Sequence, residues 1–160
     1  MQTLITVLLW FSVLGCALLG GLYFAFSAFI MNALRQSGMA GVTVMNAINR
    51  VILRSAFMPL FLGTTLACGA LAVIGLLQLD DPRAVYFIAG GLLYVAGMFG
   101  VTMFFNVPLN NALQAVTAES RTGMAIWNDY LSRWTRWNHV RTLSCLAAAA
   151  LLLMGSDPNF

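Results

Sequence analysis

No charged side chain occurs before Arg35, and residues 4–34 form one long, mainly apolar run. A helix needs roughly 20 such residues to cross a bilayer. Residues 54–79 and 84–107 form two further runs that are long enough. The last uncharged run, residues 142–154, is shorter, so a helix of spanning length that ends near Met154 must begin near Thr135. The sequence therefore predicts four membrane spans, at about residues 4–34, 54–79, 84–107 and 135–154.

The composition agrees with a membrane protein. Apolar residues make up 61% of the chain and charged residues 8%, whereas a soluble domain is nearer one half and one quarter. So few charges cannot cover a water-exposed surface. We therefore expect one integral membrane domain over residues 1–160. Its predicted fold is all-α, a four-helix transmembrane bundle. A short amphipathic cytoplasmic helix at residues 111–133 is predicted between the third and fourth spans.

The arginines predict an orientation. All eight cationic side chains are arginine, and seven of them lie at the same ends of the predicted spans. Positive charge in short loops favours the cytoplasm, so we expect both basic connections there and both termini outside, in a bacterial inner membrane. The arginines flank apolar runs and form no dense basic face, which argues against nucleic-acid binding. The opposite side carries Asp80, Asp81, Arg83 and Asp157, and Asp80-Asp81-Pro82 predicts a tight turn.

Small residues inside the spans predict close packing. Cys16, Cys68 and Cys145 all fall in apolar runs without CxxC spacing, which favours buried core cysteines over a redox dithiol. Asn46, Asn49 and Arg50 are expected at the start of the second span, near its cytoplasmic end, and Pro59 is expected to kink this span. Five glycines are expected to permit close contact between helices, namely Gly20, Gly63, Gly90, Gly97 and Gly100.

Two helical spacings occur toward the cytoplasmic ends of the predicted spans. Asn106 and Asn110 are four positions apart and therefore share a helical face, although Pro108 between them is expected to loosen the helix. A 3–4 spacing places five further residues on one helical stripe, namely Trp127, Tyr130, Trp134, Trp137 and Arg141.

Polar side chains gather at one predicted depth. The stretch RWTRWNHVR, residues 133–141, holds three arginines and the only histidine. Tryptophans at this depth also form the ordinary aromatic belt, and interfacial arginines also reach toward headgroups. Ionisable groups at membrane depth are nevertheless costly and often functional. The candidate site consists of Tyr23, Ser27, Asn49, Arg50, Asn106, Asn110, Trp134, Trp137, Asn138, His139 and Arg141.

The residue types limit the chemistry. No predicted span contains Asp or Glu, and one histidine cannot supply the several ligands that di-iron or copper enzymes require. An axial haem or metal ligand at His139 remains an alternative. Proton abstraction from an acidic carbon, without a cofactor, suits these residues best. His139 would be the base, amides, indoles and arginine would stabilise the oxyanion, and aromatic walls would hold a flat substrate.

Four runs of sequence resemble one family, namely LYFAFSAFIMNALR, NAINRVILRSAFMPLF, VTMFFNVPLNNAL and YLSRWTRWNHVRTLSCLAAAALL. Together they are similar to the DUF1772 family, whose characterised members are anthrone oxygenases. The resemblance implies a small four-span membrane protein. It also implies oxidation of an anthrone to an anthraquinone with O2 and no known cofactor. The expected partners are therefore a small apolar aromatic substrate, O2 and membrane lipids, and a homo-oligomer is compatible with the sequence.

Other functions remain open at this stage. The same polar layer would suit a non-catalytic membrane protein that binds a lipid, a quinone or a partner subunit. A small transporter and a haem-carrying electron-transfer protein are further alternatives. A proton-coupled transporter is disfavoured, because such proteins usually carry an intramembrane carboxylate.

Overall fold

The computed structural model describes residues 2–116 and 121–156. Within these ranges the chain is helical and contains no strand. Its five helices are α1 (Gln2–Gln36), α2 (Met39–Ile52), α3 (Phe57–Leu77), α4 (Ala84–Gln114) and α5 (Arg121–Met154).

Three of the helices, α1, α3 and α4, are long and apolar enough to cross a membrane. Their outward faces carry exposed leucines, among them Leu66 and Leu77, which are 74% and 79% exposed. Exposed leucines in such numbers suit lipid and not water. The chain is therefore an integral membrane protein. α5 is not among the three, because its N-terminal half is rich in arginine and tryptophan.

The four long helices pack in a ring, in which α1 contacts α3 and α5, and α4 contacts the same two helices. Small residues allow these contacts. A Cβ atom at Gly97 of α4 would overlap the Ser144 side chain of α5, and one at Gly15 of α1 would overlap Thr64 of α3. The predicted close contacts at Gly20, Gly63 and Gly90 are also present, whereas a Cβ at Gly100 would meet no other helix within 4 Å in the described ranges.

α2 corrects one sequence prediction. We expected Asn46, Asn49 and Arg50 to begin the second span, but they belong to this separate helix. α2 follows a turn in which Gly38 adopts a φ of 57°, a conformation that glycine adopts without strain. The helical structure is then interrupted at residues 53–56, before α3 begins. Pro59 consequently lies in the first turn of α3, where its missing N–H costs little and where too little helix precedes it to be kinked.

A second difference concerns residues 111–133. These were predicted to form a separate amphipathic helix, but the described part of this range divides between α4 and α5. Residues 117–120 lie outside the described residues. α5 begins at Arg121, well before the predicted start near Thr135, and it continues for 34 residues without a break. The buried residues of its first half recur every three or four positions, so this half packs as part of the bundle.

Three segments of the long helices adopt π-helical geometry, at Phe26–Ile30 in α1 and at Val95–Gly100 and Thr102–Asn106 in α4. Such segments are rare in proteins overall, and those that occur often lie at functional sites. Pro108 supplies a reason for the third. It cannot donate a backbone hydrogen bond, and its ring crowds the preceding turn. The wider turns just before Pro108 let α4 continue to Gln114.

The predicted turn between α3 and α4 is confirmed. The N–H of Asp81 donates to the Gln78 carbonyl, and the N–H of Ala84 donates to the Asp81 carbonyl. Arg83 donates to both carboxylate oxygens of Asp81, the shorter distance being 2.7 Å. These hydrogen bonds hold the pKa of Asp81 below its ordinary value. Asp157, which was also assigned to this side, lies outside the described residues.

Candidate functional site

A cavity of about 340 Å³ lies between the five helices, at the end where α2 packs. Small-molecule pockets are typically about 300–1,000 Å³ and mainly apolar. The walls are apolar side chains of α1, α2, α3 and α4, such as Phe26, Ile48, Phe61 and Val107. The polar lining residues are Tyr23, Asn49, Thr102, Asn110, Asn111, Gln114 and Arg141.

Arg141 is the charged group of this cavity. Its side chain is 5% exposed, and its guanidinium carbon lies 4.3 Å from the Tyr23 ring centroid and 4.9 Å from that of Trp134. Among the described carboxylates, Asp81 pairs with Arg83 and Asp129 pairs with Arg133, while Asp80 forms no ion pair, so none of them is a counter-ion of Arg141. A buried cation without a counter-ion is costly. Arg141 therefore favours a ligand that brings negative charge into the cavity.

Asn138 holds the guanidinium in place. It donates two hydrogen bonds of 2.7 Å from Nδ2, one to the Tyr23 carbonyl and one to Ser27 Oγ. Its Oδ1 accepts a 2.6 Å bond from Nη2 of Arg141. Since both amide donors are occupied, Oδ1 must face the arginine. Nη1 makes one long bond of 3.4 Å, to Thr102 Oγ1, and Nε has no hydrogen-bond partner among the described residues. The guanidinium thus keeps donor capacity for a ligand.

The cavity also presents amide donors. Asn110 Oδ1 accepts from the Tyr130 hydroxyl and from Trp134 Nε1, both at 2.9 Å. An indole N–H can only donate, so this oxygen faces Trp134, and Nδ2 of Asn110 is left without a partner among the described residues. Nδ2 of Asn49 likewise has none. The cavity therefore offers hydrogen-bond donors to a ligand that carries acceptor oxygens.

The structure brings together five of the predicted site residues, since Tyr23, Asn49, Asn110, Trp134 and Arg141 all line the cavity. Three others support it from behind. Ser27 and Asn138 belong to the network around Arg141, and Asn106 is buried and donates to the Trp134 carbonyl. These eight residues come from α1, α2, α4 and α5.

Three predicted site residues do not reach the cavity. Arg50 is exposed on α2, and Trp137 stacks on Phe105 with ring centroids 3.8 Å apart. His139 is exposed on α5 and is not a lining residue. It follows Trp134 by five positions, which places it about 140° around the helix at 3.6 residues per turn. Its role as a base stays a prediction, without contact to the cavity.

Sequence reasoning missed Thr102 and the α2 wall. Thr102 lies four residues before Asn106, so the helical spacing that linked Asn106 to Asn110 also reaches Thr102. The wall formed by Met45, Ile48 and Ile52 was missed because α2 was merged with the second span. The spacing of Met45, Ile48, Asn49 and Ile52 is that of one helical face, a signal that was present in the sequence.

Comparison with known proteins identifies the family. The family model described as anthrone oxygenase matches residues 50–151, which is more than half of the chain. The chain belongs to the anthrone oxygenase family. The predicted resemblance is thereby confirmed. No curated protein and no solved structure matches the chain.

The matched range of this anthrone oxygenase family member contains much of the cavity. Thr102, Asn110, Trp134 and Arg141 lie within it, while Tyr23 and the α2 residues before position 50 precede it. Within the described residues no three His, Cys, Asp or Glu side chains are grouped closely enough to hold a metal ion together. Family membership and the donor-lined cavity are the two findings from which a function can be argued.

Proposed function

We propose that this protein is a membrane-embedded oxygenase that oxidises a flat aromatic substrate of the anthrone type with O2. The cavity would hold the substrate, and Arg141 would hold the oxyanion that forms when the substrate loses a proton. The observation that carries this proposal is the buried guanidinium of Arg141, which has no counter-ion among the described residues and contacts two aromatic rings. Membership of the anthrone oxygenase family supports the substrate class.

The chemistry would need no group that the protein lacks. An anthrone carries a CH2 group opposite its carbonyl, and loss of one proton places the charge on the carbonyl oxygen of an aromatic anion. A guanidinium fixed in a water-poor site would stabilise this oxyanion strongly. We therefore propose that Arg141 makes ionisation favourable, and that water at the Asn111 and Gln114 end of the cavity accepts the proton.

The remaining steps would follow from the anion itself. It transfers one electron to O2, which gives a carbon radical and superoxide, and these combine to a carbon-bound peroxide. After protonation, the second hydrogen of the former CH2 leaves as a proton, the O–O bond breaks, and one water departs. The sum is CH2 plus O2 giving C=O plus H2O. The protein would contribute orientation, the oxyanion site and exclusion of bulk water.

The absence of a cofactor is part of the proposal. His139, as the only imidazole of the chain, is retained as a candidate base, or as a haem or metal ligand. Its exposed position gives the arginine-centred proposal better support. An absorption spectrum and metal analysis of the purified protein address this point directly. A Soret band or a stoichiometric metal would contradict a cofactor-free reaction.

We further propose that α5 is a fourth span and that the four long helices form a transmembrane bundle. The contacts of α5 with both α1 and α4 support this. The basic connections would then lie in the cytoplasm, and both termini would lie outside. The cavity would open at the cytoplasmic level of the membrane, where an apolar substrate could enter from lipid.

Oxygen uptake by the purified protein tests the oxygenase proposal. We expect emodin anthrone to raise O2 consumption above its spontaneous rate, and Arg141→Met to remove this increase. Binding is measured with emodin, the anthraquinone, because it has no CH2 group left to oxidise. Hydrogen bonds to charged groups contribute about 1.5–3 kcal/mol, so Arg141→Met should bind emodin roughly ten- to hundredfold more weakly than the wild-type protein. Arg141→Lys should fall between the two, because it keeps the charge and loses the planar fork.

Arg136→Met is the matched control, since Arg136 is exposed on the same helix. It should leave uptake and emodin binding unchanged. Uptake that survives Arg141→Met would contradict the arginine-centred mechanism. Tight emodin binding without uptake above the spontaneous rate would favour the alternative, a non-catalytic membrane protein that binds a lipid, a quinone or a partner subunit.

A further inference from the structure

Two cysteines that are far apart in sequence meet in the bundle core. Cys16 of α1 and Cys68 of α3 are separated by 52 positions, and their sulfur atoms lie 3.7 Å apart. Both side chains are fully buried, and neither lines the cavity. The third cysteine, Cys145, is also buried and free, but no sulfur contact joins it to this pair. The pair therefore differs from an isolated core thiol.

Two hydroxyl groups accompany the pair. Ser12 lies one turn before Cys16 on α1, and Thr64 lies one turn before Cys68 on α3. Both are 0% exposed. The Ser12 hydroxyl lies beside the Cys68 sulfur, and Thr64 Oγ1 has no hydrogen-bond partner within the part of the chain that the structure describes. Buried polar groups without partners are rare, and a redox role is one accepted reason for them. The α1–α3 contact thus contains two thiols and two buried hydroxyls.

Helices α1 and α3 are in close contact beside the two sulfur atoms. Gly15, next to Cys16, has no Cβ, and a Cβ there would overlap the Thr64 side chain. This places α1 directly against α3 one turn from the sulfur atoms. To form a disulfide of about 2.05 Å, the two sulfur atoms would have to approach by about 1.7 Å. Rotation about the side-chain bonds and a small shift of the helices can supply such a movement.

We propose that Cys16 and Cys68 form a redox-active dithiol, which hydrogen peroxide oxidises to a disulfide. In the first step one thiol sulfur attacks peroxide, the O–O bond breaks, and a sulfenic acid and one water form. The second thiol then attacks the sulfenic sulfur, its proton leaves with the hydroxyl as a second water, and the S–S bond forms. Two thiols are oxidised by two electrons, and one peroxide is reduced to two waters. Ser12 and Thr64 would donate to the sulfur-bound oxygen.

The test uses the reduced full-length protein in mild detergent, with hydrogen peroxide as the probe and no aromatic substrate. After quenching, the thiols are alkylated under denaturing conditions and counted by intact mass, and linked peptides are identified by digestion. We expect the loss of two of the three thiols, a Cys16–Cys68 linked peptide, and recovery of both thiols with dithiothreitol. Because no substrate is present, the result is independent of the oxygenase proposal.

Three variants serve as controls. Cys145→Ser should still form the linked peptide, whereas Cys16→Ser and Cys68→Ser should not. The exposed methionines Met103 and Met124 report that peroxide has reached the protein. If both are oxidised to sulfoxides while all three thiols of the wild-type protein remain free, the proposal is wrong. It is equally wrong if the thiols are lost without a linked peptide.

Discussion

At the residue scale, Asn138 positions the Arg141 guanidinium and leaves its positive charge available to a ligand. Its side chain has no unused donor, and its single oxygen lies 2.6 Å from Nη2 of Arg141. This neutral anchor fixes the guanidinium without neutralising it. A carboxylate at the same place would do both. Replacing the Asn138 amide by a carboxylate therefore tests whether the ligand needs the guanidinium only in its correct position or also with its charge uncompensated.

We expect Asn138→Asp to weaken emodin binding by about tenfold or more, because the new carboxylate would occupy the guanidinium as an internal counter-ion. Equilibrium titration of the purified variant measures this. Ser27→Ala is the matched control, since it removes a partner of Asn138 and introduces no charge. It should change affinity little. Equal affinity in Asn138→Asp and wild type would show that the charge of Arg141 does not select the ligand.

His139 provides the second prediction at this scale. The sequence favours His139 as the base because it is the only imidazole of the chain. In the structure, its position on α5 places it on a face of the helix that does not line the cavity. We expect His139→Gln to keep both emodin binding and O2 uptake, measured beside Arg141→Met in the same detergent. Loss of uptake with unchanged binding would restore His139 as the base and would require a movement of α5 to bring it to the substrate.

The candidate site was predictable from the sequence to the extent that residues repeat at helical spacing. Trp127, Tyr130, Trp134 and Arg141 were placed on one stripe, and all four are buried. Trp137 was assigned to the stripe, yet Asn138 takes the central place. At 3.6 residues per turn both positions fit a 3–4 spacing nearly equally well. Asn138 takes this place because it contacts Tyr23 and Ser27 on α1. The spacing of residues within α5 does not predict a contact with another helix.

At the element scale, the π-helical segments of α1 and α4 are the features that the sequence did not predict. Periodicity detects a helix but not a local change of its hydrogen-bond register. Pro108 indicated a disturbance near Asn106, yet the disturbance precedes the proline as the segment Thr102–Asn106. α2 was missed for another reason. Its apolar face merges with the α3 run, and only the break at residues 53–56 separates the two.

Close packing of α4 on α5 gives a prediction at this scale. A Cβ at Gly97 would overlap Ser144, whereas a Cβ at Gly100 would meet only the Val95 carbonyl, at 3.6 Å. We expect Gly97→Ala to lower stability by about 1–3 kcal/mol, as overpacking usually does. Gly100→Ala should be neutral or slightly stabilising, because alanine favours helix. Thermal unfolding of both variants in the same detergent compares them. A similar melting temperature for the two would contradict the close α4–α5 contact.

At the scale of the whole molecule, the apolar runs were sufficient to predict the class of protein and three of the helices. Residues 4–34, 54–79 and 84–107 correspond to α1, α3 and α4 with shifts of a few residues at most ends. The boundary of α4 differs most, because the helix continues past Pro108 to Gln114. α5 was harder to predict, since one continuous helix combines a polar half that packs around the cavity with an apolar half.

The number of spans has a consequence that can be measured without any ligand. Four spans place both termini on the same side of the membrane, whereas three spans, with α5 lying along the surface, place them on opposite sides. We expect the same side, because the apolar half of α5 contributes Ala148 and Leu152 to the core shared with α1, α3 and α4. Surface helices do not enter such a core.

Reporter fusions in a bacterial host make the measurement. Alkaline phosphatase folds only outside the cytoplasm, and green fluorescent protein exported by the same route does not become fluorescent, so the two reporters identify opposite sides. We expect phosphatase activity from a fusion after residue 160 and also from one within the turn at residues 78–83, where α3 and α4 join. A fusion after Gln36 should fluoresce, because the basic connection favours the cytoplasm. Fluorescence from the fusion after residue 160, with the other two as expected, would mean that α5 does not cross the membrane.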